Sequence, residues 1–328
     1  MAWTKTYDGD EPQRINKWLG QSGVCSRREA EGLVEQGLIS IDGVEVTEPG
    51  RKIVKGETLT LADAATKKLA SAMSVVLNKP VDYVSAHPNE GEIPAIRLIT
   101  KANLVGHSDS LPHRDSRLAP VGRLDKDSRG LLILTEDGVL TKSVIGPEAD
   151  SEKEYLVTVR GVITPERVQD LCHGLMLDNR VLKPAIVTHE RGQLLRFILT
   201  EGRNRQIRRM CDLVGLKVVD LFRIRIGHVH IGDLAEGKWR ALTPAEREGL
   251  IHKSQVEYIP QPDPEPPTPE KSQYQQYRER IQNRDNRDKP REQFDRKSAG
   301  FKSGPQNSDR PPVRRKKKPS TRPKYPGS

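Results

Sequence analysis

Gly122-Arg123-Leu124-Asp125-Lys126-Asp127-Ser128-Arg129-Gly130-Leu131-Leu132-Ile133-Leu134-Thr135 passes without a break from charged turn residues into an uninterrupted apolar strand. That order places Asp125 at the mouth of a core rather than in open solvent. A carboxylate there is chemically useful only if cations keep it ionised, because apolar surroundings alone raise its pKa. Arg123 and Lys126 are near in sequence, and a third cation can come from elsewhere. The same aspartate also fits two structural roles, an Asx-turn former or an ion-pair partner, and the spacing leaves all three open.

Working outward, Ser74-Val75-Val76-Leu77 reads as a strand followed by a turn at Asn78-Lys79-Pro80. Further strands are expected over 155–159, 194–199 and 217–221, with helices near 165–173 and 205–214. Strands outnumber helices and do not alternate strictly with them, so the pattern predicts an α+β domain over residues 74–252, built on a mixed or antiparallel sheet. A second basic cluster, Glu201-Gly202-Arg203-Asn204-Arg205-Gln206-Ile207-Arg208-Arg209-Met210-Cys211-Asp212, carries Ile207, Met210, Cys211 and Val214 at the i, i+3, i+4, i+7 spacing of an apolar helical stripe. Arg205, Arg208 and Arg209 therefore cannot all point the same way, and at least one lies beside the buried stripe. A guanidinium so placed needs an anionic partner, a protein carboxylate or a phosphate.

Upstream of this domain, Ile15, Trp18 and Leu19 form an apolar helical face. Ser26-Arg27-Arg28-Glu29 is a capping box that starts a second helix. The alternating run Ile39-Ser40-Ile41-Asp42-Gly43-Val44-Glu45-Val46 is a hairpin around Asp-Gly. This helix–helix–hairpin order is expected to make a compact module over 12–61, joined by a linker at 62–73 whose residues are small, polar and partly basic. Lys17, Arg27 and Arg28 sit at helix ends, where cations and exposed amides suit phosphate, although ordinary solvated charges fit as well. The order, over RINKWLGQSGVCSRREAEGLVEQGLISIDGVEV, resembles the S4 RNA-binding domain.

Composition limits the partners. The chain has 328 residues with 55 Lys+Arg against 45 Asp+Glu, a formal net charge of +10. Residues 257–328 hold 18 of the basic and 10 of the acidic side chains together with 13 of the 24 prolines, so most of the excess positive charge belongs to that segment. Too few apolar residues remain there to offset ordering entropy, and a disordered basic arm holding RNA electrostatically, or a solubilising extension, is expected. No apolar run approaches the length of a membrane span. The start MAWTKTYDGDE lacks a secretory apolar stretch, and the odd, widely spaced cysteines Cys25, Cys172 and Cys211 suit a reducing cytoplasm. His228-Val229-His230 has no Cys or carboxylate at matching spacing, so no metal site is expected.

GRLDKDSRGLLILTEDG, with LNKP upstream, EKEYLVTV downstream and EGRNRQIRRM further on, resembles the RsuA-type RNA pseudouridine synthases (RsuA, RluB, RluE, RluF). The S4-like front and basic tail are most similar to the RluF branch. The resemblance, over about residues 12–252, implies a central mixed sheet crossed by a catalytic cleft that converts a uridine in RNA to its C-glycoside isomer without a cofactor. The family's catalytic aspartate falls on Asp125, its active-site aromatic on Tyr155 and its cation on Arg208, which is expected to ion-pair with Asp125. Arg123 is expected to engage or flip the nucleotide. A histidine common before the Gln in related families is Arg205 here, which leaves its role open as an RNA-binding candidate beside Lys17, Arg27 and Arg28. The implied partners are ribosomal RNA, 23S foremost, and as a second candidate a transfer-RNA anticodon loop, for a cytoplasmic monomer without membrane association. The alternative is a non-catalytic RNA-binding or ribosome-assembly protein on the same fold; the joint presence of Asp125, Tyr155 and Arg208 favours the enzyme.

If residues 257–328 act as a basic arm, deleting them weakens RNA binding and flattens the dependence of log Kd on log salt concentration. A titration series at several salt concentrations checks this, and an unchanged slope removes the arm from RNA binding.

Overall fold

The computed structural model describes residues 2–112 and 116–252, and the tail expected at 257–328 lies outside them. The N-terminal module runs β1 (Trp3–Thr6), α1 (Ile15–Gln21), α2 (Arg27–Glu35), β2 (Ile39–Ile41), β3 (Val44–Glu45), β4 (Thr58–Leu61) and α3 (Asp63–Ala70). Its strands pair antiparallel in the order β1-β4-β2-β3. The capping box forms: Ser26 Oγ accepts from Glu29 N at 3.3 Å and Glu29 Oε2 from Ser26 N at 2.6 Å. Asp42 and Gly43 both take positive φ, +49° and +82°, as a type I′ hairpin turn requires. The helices bury Ile15, Trp18, Leu19, Leu33 and Val34 against Leu59 and Leu61 of the sheet.

Residues 62–73 are not a linker. They contain α3, whose Ala65 is fully buried in the N-terminal core while Leu69 packs against it. The small side chains that suggest flexibility in the sequence instead allow close approach of a short helix to the sheet.

The second part of the chain supplies β5 (Ser74–Lys79), β6 (Arg129–Thr135), α4 (Gly138–Ile145), β7 (Lys153–Arg160), α5 (Pro165–Cys172), β8 (Ile186–Arg191), β9 (Leu194–Leu199), α6 (Gln206–Leu213), β10 (Lys217–Ile226), β11 (Val229–His230), β12 (Trp239–Ala241) and α7 (Pro244–His252). They form a mixed sheet in the order β8-β9-β7-β10-β6-β5-β12, with β11 paired to β10. Neighbours along it are antiparallel except β6 and β10, which pair in parallel through Arg129↔Phe222 and Gly130↔Arg223. The expected α+β class and mixed sheet are what the chain adopts. Three strands run longer than expected: β5 continues through Asn78 and Lys79, so the turn begins only at Pro80, β7 spans Lys153–Arg160 rather than 155–159, and β10 runs on from Leu221 to Ile226.

Both sheet faces are covered, which explains why β6 reads as an unbroken apolar run rather than an alternating one. Leu131 and Ile133 pack with Val76, Leu140 of α4, Ile224 and Leu250 of α7. Leu132 and Leu134 face the opposite way, with Leu77, Val157, Phe197 and the Ile207 and Met210 side of α6. Among the described residues no helix is long and apolar enough to cross a membrane.

Asp137 ties two of the covering helices together. Its Oδ1 caps α4 by accepting from Val139 N at 2.8 Å and Leu140 N at 3.1 Å, and its Oδ2 accepts from Arg247 Nε of α7 at 2.8 Å. Asp137→Ala is expected to cost about 1–2 kcal/mol of unfolding free energy, and Asp137→Asn, which keeps the cap and loses the charge, less. Urea denaturation of both variants checks the order, and equal losses would mean that the cap is not the stabilising element.

Candidate active site

The loop 122–128 crosses one end of the sheet before β6, and its backbone is held from several sides. Ser85 Oγ, buried, accepts from Leu124 N at 2.8 Å and donates to Leu124 O at 2.7 Å. Asp82 N donates to Lys126 O at 2.8 Å, and Ser128 N donates to Asp125 O at 3.1 Å to close the turn. From α6, Arg208 Nη2 donates to Asp127 O at 2.6 Å and to Ser128 Oγ at 3.2 Å. Held this way, Asp125 lines a cleft of about 800 Å³ with its side chain one-third exposed. That volume lies in the range of sites that take a small ligand or a single nucleotide.

The cleft also takes in Arg123, Tyr155, Arg205 and Arg208. Tyr155 emerges from β7 with only 9 % exposure, so one edge of its ring belongs to the core and the remainder to the cleft. Arg123 is exposed at the rim. The structure thus brings the catalytic candidates Asp125, Tyr155 and Arg208 and the RNA-binding candidates Arg123 and Arg205 into one cleft. Lys17, Arg27 and Arg28 are exposed on α1 and α2 of the N-terminal module and do not join the cleft.

The charge pairing differs from the expected one. Arg208 engages Asp127, with Nε 3.4 Å from Oδ2, while the cation nearest Asp125 is Arg205, whose Nη1 lies 3.8 Å from Asp125 Oδ2. Arg205 simultaneously clasps Asp127 in a bidentate pair at 3.0 and 2.9 Å. The reason is the start of α6. Arg205 takes the left-handed conformation, φ +49°, as the residue preceding the helix, and that turns its side chain back across the loop. A non-glycine residue so placed costs on the order of 1 kcal/mol, which the two charge-assisted bonds to Asp127 offset. Burial works against ionisation of Asp127, yet the Arg205 hydrogen bonds and the charges of Arg208 and Arg205 hold its carboxyl below the usual carboxylate range.

Of the helical arginines, Arg208 is the one beside the apolar stripe, 9 % exposed, while Arg209 turns outward to Asp178 at 2.7 Å. Several residues of the site carry no distinguishing signal in the sequence. Ser85 is one serine among many; Lys79, Lys153 and Arg223 lie on strands whose lengths the periodicity underestimates or whose faces it cannot orient. Lys79 is fully buried, its Nζ donating to Pro80 O at 2.7 Å, and burial first, then the Arg223 charge, bring its pKa down to about 7. Lys153, at the start of β7, is brought down to about 8 by burial and the same arginine.

The family model for RNA pseudouridylate synthases matches residues 74–213, and that for the S4 domain matches residues 13–59. The chain is 37% identical over 268 residues to the dual-specificity RNA pseudouridine synthase RluF of Escherichia coli (strain K12), covering 79% of this chain and 86% of the relative. It is 30% identical over 244 residues to the ribosomal large subunit pseudouridine synthase B of Bacillus subtilis (strain 168), covering 73% and 95%. A solved pseudouridylate synthase superposes with a TM-score of 0.51 at 26% identity, covering 73% of this chain and 100% of that one. An S4 domain followed by a mixed sheet whose cleft gathers an aspartate, a tyrosine and arginines is thus matched along most of its length by enzymes of one kind, and the chain belongs to the RNA pseudouridine synthase family.

Proposed function

We propose that the enzyme isomerises a specific loop uridine of ribosomal RNA, with 23S as the foremost species and a transfer-RNA anticodon-loop uridine as a second substrate, and that Asp125 carries the chemistry. The observation that supports this most directly is the placement of Asp125 on a braced loop, in one cleft with Tyr155 and beside Arg205. The names of the relatives, dual-specificity RNA and ribosomal large subunit synthases, support the choice of RNA.

The reaction begins with cleavage of the N1–C1′ bond, which develops positive character on the ribose. An ionised carboxylate stabilises that charge, attacks C1′ or removes the C2′ proton, and Asp125 suits each role. Arg205 Nη1 lies 3.8 Å from its Oδ2. The released uracil then turns against the Tyr155 ring until C5 faces C1′. A C5–C1′ bond forms as any Asp125–C1′ ester breaks or the C2′ proton returns, the C5 proton leaves and N1 gains one, so atoms and electrons balance without a redox partner. Arg208 acts here as a positioning residue, since its guanidinium fixes the carbonyl of Asp127 and the hydroxyl of Ser128. Arg123, at the rim, is placed to take the phosphate or the space of the extruded nucleotide. A base inside a helix must first be unstacked at a cost of a few kcal/mol, which a loop uridine largely avoids.

Tritium release from [5-³H]uridine-labelled RNA tests the reading on deproteinised ribosomal RNA, ribosomal subunits and bulk transfer RNA. Wild-type enzyme is expected to release label. Asp125→Asn is expected to lose turnover by about 10²–10⁴-fold with RNA affinity within a few fold. Release by the variant at the wild-type rate would remove Asp125 from the chemistry. Label freed only from transfer RNA would overturn ribosomal RNA as the substrate.

A further inference from the structure

Four residues stand in a row across the centre of the sheet, on the face that carries the cleft. Gly130 of β6 lies opposite Lys79 of β5 on one side and Arg223 of β10 on the other, and Arg223 lies opposite Tyr155 of β7. Directly opposed residues project their side chains from the same face. Gly130 contributes none: its φ is +108°, and a Cβ there would sit 2.3 Å from Arg223 O. The row therefore presents two buried cations and, immediately beside one of them, the tyrosine against which the detached base rests.

Arg223 is the unusual member. It is 3 % exposed, its Nε donates to Leu131 O at 2.7 Å, and its Nη2 is buried with no acceptor. The other buried arginines among the described residues all have carboxylates: Arg129 has Asp220, Arg208 has Asp127, and Arg225 has Glu154 and Glu152. A desolvated guanidinium nitrogen without an acceptor is costly and rare in a folded protein. Lys79, in the same row, is pushed down to about 7, first by burial and then by the Arg223 charge. Arg223 nevertheless lines the cleft with Asp125 and Tyr155. Its Nη2 is thus a donor at the cleft with no acceptor among the described residues.

The chemistry proposed above supplies one. When the N1–C1′ bond breaks, its electron pair leaves with the base, and the resulting charge is shared among N1, O2 and O4 of the uracil. Intact uridine is neutral there, so a donor aimed at that position is worth more in the transition state than in the ground state. We infer that Arg223 is a further catalytic residue, which hydrogen-bonds the detached uracil beside Tyr155 and stabilises its negative charge until C5 bonds to C1′. This rests on the pseudouridine synthase reading and adds to it the group that receives the leaving charge.

The test uses two transcripts of the ribosomal RNA on which wild-type enzyme is active, one with uridine and one with 5-fluorouridine throughout. Fluorine withdraws electrons from the ring and makes the base a better leaving anion, so its departure depends less on a protein cation. Single-turnover loss of the N-glycoside at the target, read after nuclease digestion, is measured for wild type, Arg223→Met and Arg223→Lys, with RNA affinity and a thermal melt for each. Arg223→Met is expected to slow uridine about 10²-fold and 5-fluorouridine by less than about tenfold, with affinity unchanged and Arg223→Lys intermediate. If Arg223→Met does not fold, Arg223→Lys carries the comparison, and its slowing must again be several times larger for uridine. Equal slowing of the two transcripts in a folded variant, or a loss confined to affinity, would overturn the inference. An inactive wild type on every RNA would instead overturn the function on which it rests.

Discussion

The reach of Arg208 from α6 to the loop before β6 is the contact on which the site depends. A loop of charged residues over an apolar sheet end has no intrinsic reason to hold one conformation, since its polar groups are satisfied equally well by water. Arg208 changes this by occupying a buried place beside Ile207 and Met210 while donating to Asp127 O and Ser128 Oγ. Its burial makes water a poor competitor for those bonds. Ser85 performs the matching task on the other side of Asp125, satisfying both the N–H and the carbonyl of Leu124 with a single hydroxyl. Asp125 is therefore positioned by its neighbours' backbone rather than by its own side chain, which leaves the carboxylate uncommitted.

That arrangement also explains the separation of roles between the two carboxylates. Asp127 absorbs Arg208 and the bidentate fork of Arg205, and its depressed pKa reflects those partners against the opposing effect of burial. The sign follows: the pairing is present above the ordinary carboxylate range and is lost as pH falls through the lowered value. Asp125 meets Arg205 only at 3.8 Å, without the hydrogen bonds that tie Asp127 to the same guanidinium.

Much of this was legible in the sequence. The Ser26–Glu29 box and the Asp42-Gly43 turn depend only on residues within a few positions of one another, and both formed as read. The charged turn running into Gly130–Thr135 placed Asp125 at the mouth of a core, because a strand covered on both faces must be apolar throughout. The misreadings share a different cause. Residues 62–73 have the composition of a spacer, and only the sheet surface beneath them makes Ala65 a core residue. In Lys217–Ile226 the arginines at 223 and 225 alternate with apolar residues, the ordinary mark of a solvated face. Here Arg223 lines the cleft and Arg225 is buried against Glu154 and Glu152, so the same pattern encodes buried charge. That Arg208 meets Asp127 rather than Asp125 is a matter of tertiary geometry, which neighbouring residue types do not announce.

The N-terminal module is joined to the same machinery through α4. Glu29, whose Oε2 completes the capping box of α2, also accepts from Gly138 N at the start of α4 through Oε1 at 3.3 Å, and Lys142 donates to Gly20 O at 2.8 Å. The approach requires glycine, since a Cβ at 138 would lie 2.2 Å from that of Ser26. One carboxylate thus serves two helix N-termini, where backbone amides favour negative charge. The far end of α4 supplies Val144 and Ile145 to the wall of the cleft. Arg27 and Arg28, exposed at the start of α2, thus lie at one end of α4 and the cleft at the other.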